Sequence, residues 1–206
     1  MTNRFPIFIP DNKSFHLNPN DIVYFIFFLL LLITPLKINF FESIQKLVLI
    51  FSLISIAIVF ISNYYRTQPI YGNLNGFISF HSNQIEINNQ IIPMDSIEKL
   101  FLRLEDYQDR ERNQFKQNAY RRIPPFYPNL SNGTDNSLNI TLKNGDKKII
   151  NFQMQFEDQY NAIQAFVISS VKNNLLSLDN AIAILHLDND YLLNKFKTEL
   201  HKKELN

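Results

Sequence analysis

The sequence predicts a membrane-anchored α+β protein: a two-helix transmembrane hairpin, then an antiparallel β-sheet closed by a helix, then a short helical tail. Three observations carry this. Two long apolar runs stand near the front, "IVYFIFFLLLLITPL" (22–36) and "LVLIFSLISIAIVFIS" (47–62). Several later segments alternate apolar and polar residues with period two. Residues 157–173 then switch to a helical period.

A spanning helix needs about 20 apolar residues, because the hydrocarbon core is roughly 30 Å thick. The first run extends to 22–41 if Lys37 carries its ammonium to the headgroups. The second extends to 44–65, between Lys46 and Arg66. Tyr24, Tyr64 and Tyr65 sit near the boundaries, where amphipathic rings favour the interface. Both runs are apolar all round, whereas a core helix keeps a polar stripe. A cleaved leader fits poorly: 21 residues precede the first run and no small-x-small site follows it. The short connection "KINFFESIQK" makes a hairpin with both termini on one side. Arg4, Lys13 and Arg66 outside it, against Lys37 and Lys46 within it, place those termini inside. The expected location is the cell inner membrane, multi-pass, with the C-terminal domain cytoplasmic. The expected organisation is an N-terminal segment (1–20), the hairpin (21–66), a linker (67–75), a sheet domain (76–174) and a helical tail (175–206).

Within the sheet domain, "GFISFHS" (76–82), "QIEIN" (84–88), "QIIPM" (90–94) and "IEKLFLRLEDY" (97–107) read as strands. In the last, Leu100, Leu102 and Leu104 oppose Phe101, Arg103 and Glu105. "SLNITLK" (137–143) and "KIINFQMQF" (148–156) flank Asn144-Gly145, a hairpin signal whose central residues are expected at positive φ. One apolar and one polar face mean an antiparallel sheet with a wet side. In 157–173, Tyr160, Ile163, Phe166, Val167 and Val171 share a helical face, with Glu157 and Asp158 opening it and Lys172 closing it. The tail reads as two helices. Ser177 or Asp179 starts the first and Asp188 or Asp190 the second, whose stripe is Leu193, Phe196 and Leu200.

Short meandering strands, the step Ile92-Pro93…Ile97, a final hairpin and one amphipathic helix give an order that resembles the pleckstrin-homology-like (PH-like) fold. More narrowly, it resembles bacterial membrane proteins that place such a domain after a two-helix hairpin. The resemblance covers about residues 74–173. It implies an antiparallel β-sheet or partly open barrel capped by a C-terminal helix, and no particular activity. Phosphoinositide-binding relatives use basic residues in the first hairpin loop. Here that loop is His81-Ser82-Asn83, which argues against that ligand.

Composition excludes several chemistries. There is no cysteine, so thiol chemistry and cysteine-based metal sites are out. The net charge of +1, with signs mixed, gives no nucleic-acid footprint. Four scattered glycines give no phosphate cradle. His16, His81, His186 and His201 lack metal spacing, and "DNDYLLNKFKTE" lacks the calcium-loop glycine. No cofactor, metal or catalytic residue is expected.

The long stretch 106–136 is the chemically rich one. Its cations Arg110, Arg112, Lys116, Arg121 and Arg122 interleave with Phe115, Tyr120, Phe126 and Tyr127. That mixture suits an anionic bilayer surface, at about 1 kcal/mol per basic residue. "SNGTDN" (131–136) reads as a loop-to-strand turn; the alternative is that Asp135 and Asn136 meet Asp106 at a partner-binding edge. The expected function is a non-enzymatic membrane protein binding a protein partner or the lipid bilayer, through its sheet edge or this loop. The alternative is an accessory subunit of a transport or secretion complex.

Overall fold

The computed structural model describes residues 4–11, 22, 25, 26, 42–111, 128–187 and 189–202. The chain divides into two compact units. One comprises Met1–Asp11, Gly72–Arg110 and Ser131–Asn206, and the other Asn12–Tyr71 and Glu111–Leu130.

Among the described residues there are nine strands: β1 (Arg4–Pro10), β2 (Gly72–Phe80), β3 (Gln84–Ile87), β4 (Gln90–Pro93), β5 (Ile97–Leu104), β6 (Gln108–Glu111), β7 (Leu130–Asn132), β8 (Asn136–Leu142) and β9 (Lys147–Phe152); all lie in the first unit except that β6 ends and β7 begins one residue beyond its boundaries. Seven of them form one antiparallel sheet in the order β4-β3-β2-β1-β9-β8-β5. β6 and β7 make a separate two-stranded ribbon.

The alternation in the sequence maps onto this sheet. Ile78, Phe80, Ile85, Ile92, Leu100, Leu102, Leu104, Leu138, Ile140, Ile150 and Phe152 all face a buried core. Local pattern did not mark β1, β6 or β7 as strands; the last two lie inside the stretch 106–136, which reads as one long loop. β1 pairs with both β2 and β9 near the middle of the order. Proline cannot donate to a ladder, so a central strand tolerates it only at a bulge. The β1–β2 register does shift between Pro6 and Phe8, and the Pro6 carbonyl accepts from the Gln153 N–H (2.8 Å). Phe5 is fully buried and stacks edge-on against Phe80 (5.5 Å) and Phe152 (5.7 Å).

Two turns divide the glycine and asparagine signals differently from expectation. At Asn144-Gly145 only Gly145 has positive φ (90°), because the loop spans four residues and closes with a Gly145 N–H to Leu142 carbonyl bond. The two-residue turn with both central residues at positive φ is Asn88-Asn89 (49° and 68°), between β3 and β4.

Helix α2 (Gln159–Lys172) follows β9 and buries Ile163, Phe166 and Val167 in the core, with Phe166 5.2 Å from Phe80. Helix α3 (Leu178–Ile184) is capped by Ser177, whose side chain accepts from the Asn180 N–H. Helix α4 (Asp190–Lys202) buries Phe196, and the Asn189 side chain rather than an aspartate accepts from the Tyr191 N–H. The tail therefore packs on the domain.

In the second unit, helix α1 (Glu42–Tyr64) carries the second apolar run. The first run, 22–41, lies outside the described residues except for Ile22, Phe25 and Ile26. Among the described residues no helix is long and apolar enough to cross a membrane. This corrects the two-helix transmembrane hairpin, the membrane anchorage and the multi-pass inner-membrane location. The cytoplasmic placement of the C-terminal domain loses its basis with them. The physical reason lies at the ends of α1. Lys46 stands one turn in and Asn63 is buried in the last turn. Between them lie residues 47–62, roughly 24 Å of helix against a hydrocarbon core of roughly 30 Å. The C-terminal end is held by chain: Asn129 N–H donates to the Asn63 carbonyl (2.9 Å) and Leu130 N–H to that of Arg66 (3.1 Å).

Phe5→Ala is expected to lower stability by about 3–5 kcal/mol, read as a fall in the urea midpoint at unchanged slope. The fragment 67–206, which lacks β1, is expected to lose the cooperative transition. Equal cooperativity in fragment and full chain would contradict the placement of β1.

Candidate binding surfaces

The chain leaves the sheet after β5 and returns through β7. A polar clamp holds the two crossing points together. Asn136, at the start of β8, is its centre. Its Nδ2 donates to the carbonyls of Asp106 and Gly133 (both 2.9 Å). Its Oδ1 accepts from the backbone N–H groups of Glu105 (3.0 Å) and Asp106 (3.1 Å). The amide thus uses both donor hydrogens and both lone pairs. The Ser131 hydroxyl donates to the buried Asp106 carboxylate and accepts from the Gly133 N–H (3.1 Å). Engaged on both sides, that hydroxyl is a structural group rather than a poised nucleophile. Gln153 Nε2 donates to the Asn132 carbonyl (2.8 Å). Gly133 has φ +74°, and a Cβ there would stand 2.1 Å from the Met154 carbonyl oxygen.

Of the residues expected to form a site, Asp106 and Asn136 do come together, buried. Asp135 is exposed at the same turn, and its charge reaches Arg103. Arg103 is raised above its ordinary value mainly by its hydrogen bond to Glu105. Arg110 folds back on its own unit: Nη1 donates to the Glu105 carbonyl (2.5 Å) and the guanidinium lies 5.5 Å from the centre of the Tyr107 ring. Arg112, Lys116, Tyr120, Arg121 and Arg122 lie outside the described residues.

From Arg110 a line of rings runs inward. Tyr107 meets Tyr160 edge-on at 6.4 Å, and Tyr160 meets His186 at 5.4 Å. His186 Nε2 stands 3.2 Å from the Leu104 carbonyl oxygen. The Tyr160 hydroxyl is buried without a hydrogen-bond partner among the described residues, and burial pushes its pKa up to about 12. Tyr107 is raised as well, by burial first and then by Glu157. An open cleft of about 470 Å³ beside this line is lined by Tyr107, Gln108, Asp109, Gln155, Phe156 and Glu157. A wider groove of about 640 Å³ follows β5, between Phe101 and Arg103 on the strand and Asn180 and Ile184 on α3. β5 is a terminal strand, and His186 occupies its last carbonyl. Such cover is a common protection of sheet edges.

In the second unit, α1 offers a different surface. Leu47, Ile50, Phe51, Ile54, Ile58 and Ile61 recur at steps of three and four and are each half or more exposed, with Phe51 at 66%. At 100° per residue they form one stripe about 100° wide, and Leu53 (54%) and Phe60 (51%), equally exposed, extend the apolar surface beyond one edge of it to about half of the helix circumference. Ser52 and Asn63, both buried, lie on the opposite side of the helix.

The sequence reading missed Tyr160 and His186 as a pair, since nothing local links residues so far apart. It also passed over Phe101 and Ile149, which stand at wet positions of their strands. Their apolar character in that phase was the available signal. Among the described residues, no three His, Asp or Glu side chains gather as a metal site.

Asn136→Ala is expected to cost about 3 kcal/mol, because four buried backbone groups lose their partner. Chemical denaturation reads this directly. Tyr160 gives a pH signature. Its folded pKa lies above its ordinary value of 10.0, so its contribution is complete below pH 10 and is lost as pH rises through about 12. The slope in that window is about 1.4 kcal/mol per pH unit. Tyr160→Phe is expected to flatten the decline; equal decline in both proteins would refute the assignment.

No family model, no curated protein and no solved structure matches this chain.

Proposed function

We propose that the chain is a non-enzymatic binding module that joins a protein partner through the apolar stripe of α1. The single observation that carries this is the continuity of the stripe. Six large apolar side chains, at the spacing with which one helix packs on another, face outward over roughly 21 Å of helix axis. Each Ile or Phe so covered is worth about 1.5–3 kcal/mol, so an uncovered stripe is costly. The opposite side of α1 carries the buried Ser52 and Asn63, which supports a helix seated on its own unit and offering the stripe outward.

The element order of the other unit supports the kinship with PH-like modules: a strand meander, open between β4 and β5, followed by a helix. The reading as an accessory subunit of a larger assembly rests on the same stripe, since a subunit helix needs an apolar seat among its neighbours.

The test places a photo-cross-linking residue at Phe51, Ile58 or Ser52 in the full-length chain, in cells. Adducts of one discrete protein mass from Phe51 and Ile58, but not from Ser52, are expected. Phe51→Glu together with Ile54→Glu should abolish the Ile58 adduct. Cross-links to phospholipid from the stripe, or co-flotation with vesicles that these substitutions abolish, would overturn the proposal.

A further inference from the structure

The outward face of β5, β8 and β9 carries a second surface, in the unit that does not contain α1. Register puts Phe101 opposite Asn139 and Asn139 opposite Ile149, so the three share one outward row. Phe101 is 57% exposed and Ile149 75%. Strands stand about 4.8 Å apart, so the two apolar side chains are spaced by roughly 10 Å with Asn139 between them. Asn139 Oδ1 is buried and has no hydrogen-bond partner among the described residues. A shielded amide oxygen left in this state is costly, and with no accessible surface it lies out of reach of an incoming donor.

The neighbouring rows give the surface a polarity. Two residues along the strands, roughly 7 Å away, the row reads Lys99, Thr141, Lys147. Both lysines are exposed, and neither forms an ion pair among the described residues. Glu98 lies in the β5 bulge beside Lys99, and Asp146 in the hairpin turn, where its carboxylate accepts from Asn144 Nδ2 (2.7 Å). On the other flank the row reads Arg103, Ser137, Asn151, and Arg103 is already paired with Glu105. The free cations are therefore all on one side of the apolar pair.

We infer that this face binds an acidic peptide segment of a partner protein, with an apolar side chain seated between Phe101 and Ile149. A carboxylate about two residues away reaches Lys99 or Lys147. Two independent features converge on that chemistry: apolar exposure at a wet strand position and unpaired lysines in the adjoining row. Lone apolar exposures are ordinary on protein surfaces; their combination with the lysine row is what specifies a ligand. The proposal is independent of the α1 stripe, which lies in the other unit.

The experiment uses the full-length protein and a labelled synthetic peptide in which glutamates alternate with leucine and phenylalanine, followed by fluorescence anisotropy. Saturable binding is expected, weakened about tenfold by Lys99→Glu with Lys147→Glu. A comparable loss is expected from Ile149→Ser. Raising salt from about 0.05 to about 0.5 M should weaken binding to the wild type and strengthen the residual binding to the charge-reversed variant, because the same screening relieves its repulsion of the peptide. Thermal melts check folding, and Phe101→Ser replaces Ile149→Ser if the latter is destabilised. Any of three results overturns the inference: no saturable binding, equal binding of a peptide with lysine in place of glutamate, or binding that the substitutions leave unchanged. Anionic vesicles serve as a further arm, and vesicle binding that shows the same substitution pattern while the peptide stays unbound also overturns it.

Discussion

Burial of Phe5 is the constraint on which the sheet unit depends. Its ring lies against Phe80 and Phe152, and Phe80 in turn lies against Phe152 and Phe166. These rings come from β1, β2, β9 and α2, so one aromatic cluster joins the start of the chain to elements about 75 to 160 residues later. Until β1 arrives, β2 and β9 have no shared neighbour and the sheet is two separate halves. The cost is a long loop closure, which grows only slowly with loop length; the gain is burial of rings that each hide a large apolar area.

This closure explains the layout. β1 ends where β2 begins, with Pro10 opposite Gly72, so everything between them leaves and re-enters the sheet at one place. The stretch from β6 to β7 does the same, and the Asn136 clamp secures its base. The clamp residues are polar and buried because two chain crossings bring backbone groups inside that no ladder satisfies.

The two surfaces differ in physical character. The α1 stripe is wholly apolar, and its favourable energy scales with area. The face of β5, β8 and β9 combines a small apolar pair with charge, so orientation and chemistry decide what fits.

The sequence by itself determined the phase of β2, β3, β5, β8 and β9, the buried face of α2 and the Leu193-Phe196-Leu200 stripe of α4; it offered the meeting of Asn136 with Asp106 only as the alternative to a simple turn. Each of the first three follows from a local period, since a side chain's direction depends on helix or strand geometry over a few residues. Only the tertiary structure decided that residues 4–10 form a strand inside the sheet. Pro6 and Pro10 erase the local strand signal, and the pairing that offsets them comes from residues far along the chain. It likewise decided that the second apolar run ends in a buried asparagine tied to Asn129, which local hydropathy does not register. The row Phe101–Asn139–Ile149 belongs to the same class, because register between strands is set by long-range pairing and a one-residue slip would have turned all three inward.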